Sequence, residues 1–178
     1  MNLIMKKFSG CGCGLLALLV FAALGAAPVT AQNAILDEVS FCRFCKRGTA
    51  REIRKVLDSG ASANAICDKY GQTALMMAAR GNSNPEVVKV LLEGGADVNA
   101  SNADIGMTAL MWAAMENSNP EVVKVLLENG ADANAKTTEG GMTVLMSAAR
   151  LNSNPEVVKA LLANGADVHA QNEEGRTP

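Results

Sequence analysis

The apolar and polar positions of this chain follow a pattern that repeats every 35 residues. Three segments carry it: GQTALMMAARGNSNPEVVKVLLEGGADVNA from Gly71, GMTALMWAAMENSNPEVVKVLLENGADANA from Gly106 and GMTVLMSAARLNSNPEVVKALLANGADVHA from Gly141. A period of this size marks one supersecondary unit that stacks on its neighbours to bury a shared core. Within the middle copy Leu110, Ala113 and Ala114 fall at i, i+3 and i+4, one face of a helix. Thr73, Thr108 and Thr143 precede that helix, where a hydroxyl oxygen satisfies free amides. The next signal is Asn-Ser-Asn-Pro-Glu, with its proline at 85, 120 and 155. Asn as cap, Pro as first helical residue and Glu in the first turn predict a second helix. It runs through Val-Val-Lys-x-Leu-Leu and stops at Gly95, Gly130 or Gly165, where a left-handed residue ends it. Each unit therefore reads helix, loop, helix, turn, and the architecture favours a binding surface over a catalytic pocket.

Upstream, Phe41 to Ala65 aligns as a degenerate copy that keeps Gly60-Ala61 and Asn64-Ala65 in register. Its second helix, with Arg51, Arg54 and Lys55, is far more polar than the others. A terminal capping unit needs that, because one of its faces has no neighbour. At the other end an apolar second helix (Val157, Val158, Leu161, Leu162) is followed by Gly175-Arg-Thr-Pro, the opening of another copy. The sequence thus reads as a fragment of a longer array, or as an array whose last unit frays.

Gly71-Gln-Thr-Ala-Leu-Met-Met-Ala-Ala and Gly95-Ala-Asp-Val-Asn-Ala, with close copies in the next two units, resemble the ankyrin repeat. The resemblance covers about residues 40–178. It implies an all-α, ankyrin-repeat solenoid of stacked helix-turn-helix units. The implied division is a short segment plus capping repeat at 32–67, repeats at 68–105, 106–140 and 141–174, and a truncated repeat at 175–178. The family's proline is replaced here by Ala74, Ala109 or Val144, and its histidine by Met76, Met111 or Met146. The hydrogen-bonded tie made by that histidine must give way to methionine packing, which fills gaps well but specifies geometry less sharply. The usual ankyrin period is about 33 residues. The surplus falls in the inter-helix loop and in the turn between repeats, surface sites that tolerate lengthening.

Residues 1–31 stand apart from this pattern. Lys6 and Lys7, the apolar stretch Leu15 to Ala27 and the small-residue ending Val29-Thr30-Ala31 read as a secretory signal peptide cut near Ala31–Gln32. The apolar stretch falls short of the about 20 residues of a membrane-spanning helix, and a retained N-terminal anchor is the alternative reading. Cys11 and Cys13 leave with this leader. The remainder is expected to be exported, periplasmic or secreted, monomeric and not inserted in a membrane.

Charge narrows the partner. The chain carries 16 Lys+Arg against 18 Asp+Glu, and setting aside Lys6 and Lys7 brings the net charge from −2 to −4. A nucleic-acid binder would show a basic stripe instead. Residues 32–66 carry six basic and four acidic groups, whereas residues 67–178 carry eight and fourteen. That asymmetry can bias a partner's orientation, or be solvated surface alone.

Of the 35 positions, 20 are identical in all three internal copies, and these are the ones that caps and helix packing require. The differences cluster at Gln72/Met107/Met142, Met77/Trp112/Ser147, Arg80/Met115/Arg150 and Gly81/Glu116/Leu151, and in the turns from Ser101/Lys136/Gln171 through Asp104/Glu139/Glu174. In ankyrin proteins the first helix and the turn line a concave groove. The resemblance therefore implies partner contact by Gln72, Met77, Arg80, Met107, Trp112, Met115, Glu116, Lys136, Arg150 and Leu151. The competing reading is that packing leaves these positions unconstrained. Trp112 lies about 200° from Leu110 around the helix. It serves either as an outward interface anchor or as a wedge between repeats against Met77 or Ser147.

Other chemistry is thin. Cys42 and Cys45 have C-x-x-C spacing and Cys67 follows about one repeat later. An exported protein makes a structural disulfide among the three plausible; buried reduced thiols are the alternative, and a thioredoxin-like role needs a different fold. Zinc needs four ligands, and the single histidine, His169, lies three repeats from the cysteines, on the order of 25 Å away. His169 takes the place of Asn99 and Asn134, a turn hydrogen-bonding position. Asn99-Ala-Ser101 fits a glycosylation sequon by pattern only. No phosphate loop, nucleophile elbow or metal-binding helix motif appears, so neither cofactor nor enzymatic activity is expected. The expected function is non-catalytic binding of an unidentified partner protein. The alternatives are a secreted factor acting on host proteins and a thiol-active protein using Cys42 and Cys45.

Overall fold

Helices of eight to ten residues do not persist alone in water, and every helix described in this chain has that length. The computed structural model describes residues 38–178, and the expected leader at 1–31 lies outside them. Among the described residues eight helices come in four pairs: α1 (Glu38–Arg47) and α2 (Ala50–Asp58), α3 (Ala74–Gly81) and α4 (Pro85–Glu93), α5 (Ala109–Glu116) and α6 (Pro120–Glu128), α7 (Val144–Leu151) and α8 (Pro155–Ala163). The first helices α1, α3, α5 and α7 pack in one row, and α2, α4, α6 and α8 in a second. The only strand-like features among the described residues are single bridges, Ile66 with Thr73, Ser101 with Thr108 and Lys136 with Thr143. The fold is an all-α stack of helix-turn-helix units.

Local chemistry sets the ends of each helix. Thr73, Thr108 and Thr143 accept the amides of Met76, Met111 and Met146 at 3.3, 3.3 and 3.1 Å. Asn84, Asn119 and Asn154 accept those of Glu86, Glu121 and Glu156 at 3.0–3.1 Å, each just ahead of its proline. A cap of this kind is worth about 1 kcal/mol. The second helices end at Gly95, Gly130 and Gly165, whose φ of 84–88° is the left-handed region that side chains resist.

The core is one continuous cluster. Leu75, Met76, Leu110 and Met111 from the first helices meet Val87, Val88, Leu91, Val122, Val123 and Leu126 from the second, all at 1 % exposure or less. Burying one such side chain contributes about 1.5–3 kcal/mol. The three methionines at the family's histidine position are buried in this cluster or at its edge.

Polar ties run between units, carried by asparagines. Asn117 is 4 % exposed, and its Nδ2 donates to the carbonyls of Ala79 at 2.7 Å and Asn82 at 3.0 Å. Asn152 does the same to Ala114 and Asn117 one unit later. Each Oδ1 accepts the amide two residues on, from Asn119 and Asn154. A second ladder joins the turns: Asn64, Asn99 and Asn134 donate to Gly95, Gly130 and Gly165 and accept from Asp97, Asp132 and Asp167. Leaving a buried group such as the Asn117 amide unpaired costs about 1–3 kcal/mol, so the first ladder, with the exposed second one beside it, holds the stacking register that methionine alone would leave loose.

The first unit is offset from the others. Asn82 donates to the carbonyls of Cys45 and Gly48, whereas Asn117 uses Ala79 and Asn82. Cys45 is therefore the counterpart of Ala79, 34 residues away rather than 35. Thr49, the N-cap of α2, still matches Asn84. The loop between α1 and α2 is one residue shorter than its counterparts, and the offset is taken up there.

Candidate partner-binding face

The first helices bury one side against the second helices and expose the other beside the inter-unit turns. Three side-chain rows run along this face: Met77, Trp112, Ser147; then Arg80, Met115, Arg150; then Gly81, Glu116, Leu151. Exposure rises from row to row. Ser147 is buried and donates its hydroxyl to the Thr143 carbonyl at 3.0 Å. Met77, Trp112, Arg80 and Met115 are half-buried, and Glu116, Arg150 and Leu151 are exposed.

Charge and aromatic groups meet at the centre. The Arg80 guanidinium lies over the Trp112 ring, 4.4 Å from its centroid. Its Nε donates to Glu116 Oε2 at 2.8 Å. Where solvent reaches it, such a stack contributes about 0.5–1 kcal/mol, and a half-exposed ion pair adds at most about 1 kcal/mol. Trp112 packs against the edge of the core with one side, and the long arginine of the preceding unit reaches across and covers its ring. Its Nε1 is enclosed without an acceptor among the described residues.

Beside this cluster opens a pocket of about 250 Å³. Ile105, Met107, Met115, Met142 and Leu151 supply its apolar lining, and Thr137, Glu139 and Arg150 its polar edge. Unbranched thioethers adapt their shape to what enters. Met107 is only 4 % exposed, so it belongs to the core and merely floors the pocket. Ile105 is a lining residue that the comparison of copies does not single out, because it occupies the last turn position, where glycine stands in the other two. Gln72 is half-buried at the start of its unit. Lys136 is exposed, its Nζ 3.4 Å from the Gln171 carbonyl of the next turn.

The cysteines form a different arrangement from the C-x-x-C pair. Cys42 in α1 is joined to Cys67 in the following turn, 25 residues on. Cys45 is a free thiol at 0 % exposure, and burial pushes its pKa up to about 12. Cys42 and Cys45 thus lack the mutual bond and the accessible thiolate that a redox cycle would use. His169 is exposed, with its amide on Asp167 Oδ1 at 2.8 Å. Among the described residues no cluster of His, Cys, Asp and Glu could hold a metal, and no helix is long and apolar enough to cross a membrane.

Comparison with known families agrees with this architecture. The family model for ankyrin repeats (3 copies) matches residues 17–102, 41–137 and 82–172. A search of curated proteins gives no match. Ankyrin repeats are in general protein–protein interaction modules and typically non-catalytic.

Proposed function

Because the chain belongs to the ankyrin-repeat family, we propose that it binds a partner protein on its concave face without catalysis. The observation that carries this is the methionine-lined pocket between the units that begin at Gly106 and Gly141, which opens where the repeated copies differ. Identical positions build the scaffold; differing ones supply a surface of its own. Arg80, Trp112, Met115, Glu116, Arg150 and Leu151 form the contact row, with Gln72, Met77 and Lys136 at its margin. Leu151, 52 % exposed at the pocket mouth, is an apolar group that gains from being covered.

Export belongs to the same proposal. The Cys42–Cys67 bond supports it, since disulfides persist in oxidising compartments, and so does the leader-like pattern at 1–31. A periplasmic scaffold is preferred over a secreted factor acting on host proteins; fractionation of the producing cell separates them.

Affinity capture by the full chain from that compartment tests the binding face. Leu151→Glu should reduce recovery of the captured partner by about tenfold or more, the scale of one lost anchor. Lys124→Glu, on the second-helix side, should leave recovery unchanged. Equal recovery with Leu151→Glu, or loss confined to Lys124→Glu, would move the interface off this face.

A further inference from the structure

The offset of the first unit changes which residues continue the variable rows. If Cys45 matches Ala79, then Arg43 continues the row of Met77 and Trp112, Lys46 that of Arg80 and Met115, and Arg47 that of Gly81 and Glu116. Burial follows the same register. Phe41, Cys42 and Cys45 are buried like Leu75, Met76 and Ala79, while Arg43 and Arg47 are exposed and Lys46 is half-buried. A plain 35-residue alignment instead puts Cys42 and Cys45 on these rows and sets Arg43 and Arg47 at the buried positions of Ala78 and Asn82.

Direct contact fixes the placement. The aliphatic stem of Lys46 lies against Gly81, where a Cβ would meet its Cγ, Cδ and Cε. Arg43, Lys46 and Arg47 sit at i, i+3 and i+4, on one side of α1. None has an ion-pair partner among the described residues. Glu116 is held by Arg80, and Asp68 Oδ1 accepts the amides of Tyr70 and Gln72 at 2.9 and 3.1 Å. On the adjoining turn Lys69 adds another positive charge, 5.0 Å from the Tyr70 ring centroid.

We propose that this end of the face takes an acidic peptide segment of the partner protein, next to an apolar side chain seated in the methionine pocket. The proposal rests on the concave face being the partner surface and adds the partner's chemistry: carboxylates over Arg43, Lys46 and Arg47, an aliphatic or aromatic anchor beyond Trp112. Three cations without an ion-pair partner among the described residues, on an otherwise acidic protein, create a local field opposite to the net charge of −2. Such a field attracts and orients an anionic segment. The Arg80–Glu116 pair separates the cationic end from the apolar one, so both parts of one peptide can bind in a single direction.

The probe is a synthetic peptide with a run of glutamates followed by leucine, titrated against the full chain and followed by the fluorescence of Trp112, the only tryptophan. A matched peptide has glutamine for glutamate. The glutamate peptide should bind about tenfold more tightly near ~0.15 M salt, and the advantage should shrink as salt rises. Arg43→Glu/Lys46→Glu/Arg47→Glu should abolish that preference, and Arg43→Gln alone should weaken it. Leu151→Glu should weaken both peptides. Equal binding of the two peptides, or a preference that survives the triple variant, overturns the acidic-segment proposal. If Leu151→Glu still weakens both in that case, the concave-face reading stands alone. No binding of the glutamate peptide also overturns the proposal. So does tighter binding of phosphatidylglycerol vesicles or single-stranded oligonucleotide that the triple variant abolishes, because the occupant is then not a peptide.

Discussion

Trp112 shows how a single side chain can face outward and still be enclosed. Its helical position directs it away from Leu110, but Arg80 of the preceding unit lies on its ring and its Nε1 has no acceptor among the described residues. An enclosed donor without a partner costs about 1–3 kcal/mol. Trp112→Phe keeps a ring for the guanidinium and removes the orphan, so it should be neutral or stabilising by up to about 1 kcal/mol. Trp112→Ala should lose about 3 kcal/mol through lost packing. Urea denaturation of both variants measures this; a Phe variant as unstable as the Ala variant would show that the indole nitrogen is satisfied in solution. Composition and helical angle made Trp112 visible in the sequence. Its cover was not visible, because Arg80 lies 32 positions away and only stacking brings the two together.

The six helices of the three regular units each carry a start signal that was legible in the sequence because it is local. Thr, Asn and Pro act on amides two or three residues away. In the least regular pair α2 carries a reciprocal cap closed by a carboxylate. Thr49 N–H donates to Glu52 Oε2 at 3.0 Å, and Thr49 Oγ1 accepts the Glu52 amide at 3.4 Å. The Thr49 backbone bond, and then the Thr49 hydroxyl, hold the Glu52 carboxyl below the usual carboxylate range. A folded pKa below the unfolded one gives stability that is present above the unfolded value and lost as pH falls through the folded one. Glu52→Gln removes that titration. The stability gap between the wild type and this variant should be open at neutral pH and close in acid; a gap independent of pH would mean that Glu52 does not cap α2.

At the scale of the molecule, one covalent tie joins α1 to the turn that follows its unit. Closing a loop of 25 residues through Cys42 and Cys67 is worth about 3 kcal/mol in the chain-entropy account. Cys67→Ser should lower the urea stability by about that amount, and reductant should lower the wild type but not the variant. An equal response of both to reductant would place the bond elsewhere. Throughout, native Cys45 should resist iodoacetamide at pH 8, because burial holds its thiol near 12. The sequence by itself determined the helix pairs, their caps and the all-α stack, since a repeated pattern of apolar and capping residues acts over a few neighbours and needs no tertiary partner. The tertiary structure alone decided the cysteine pairing, the cover on Trp112 and the register of the first unit. These depend on groups far apart in the chain, and a loop one residue shorter is enough to bury Cys42 and Cys45 and turn Arg43 and Arg47 outward.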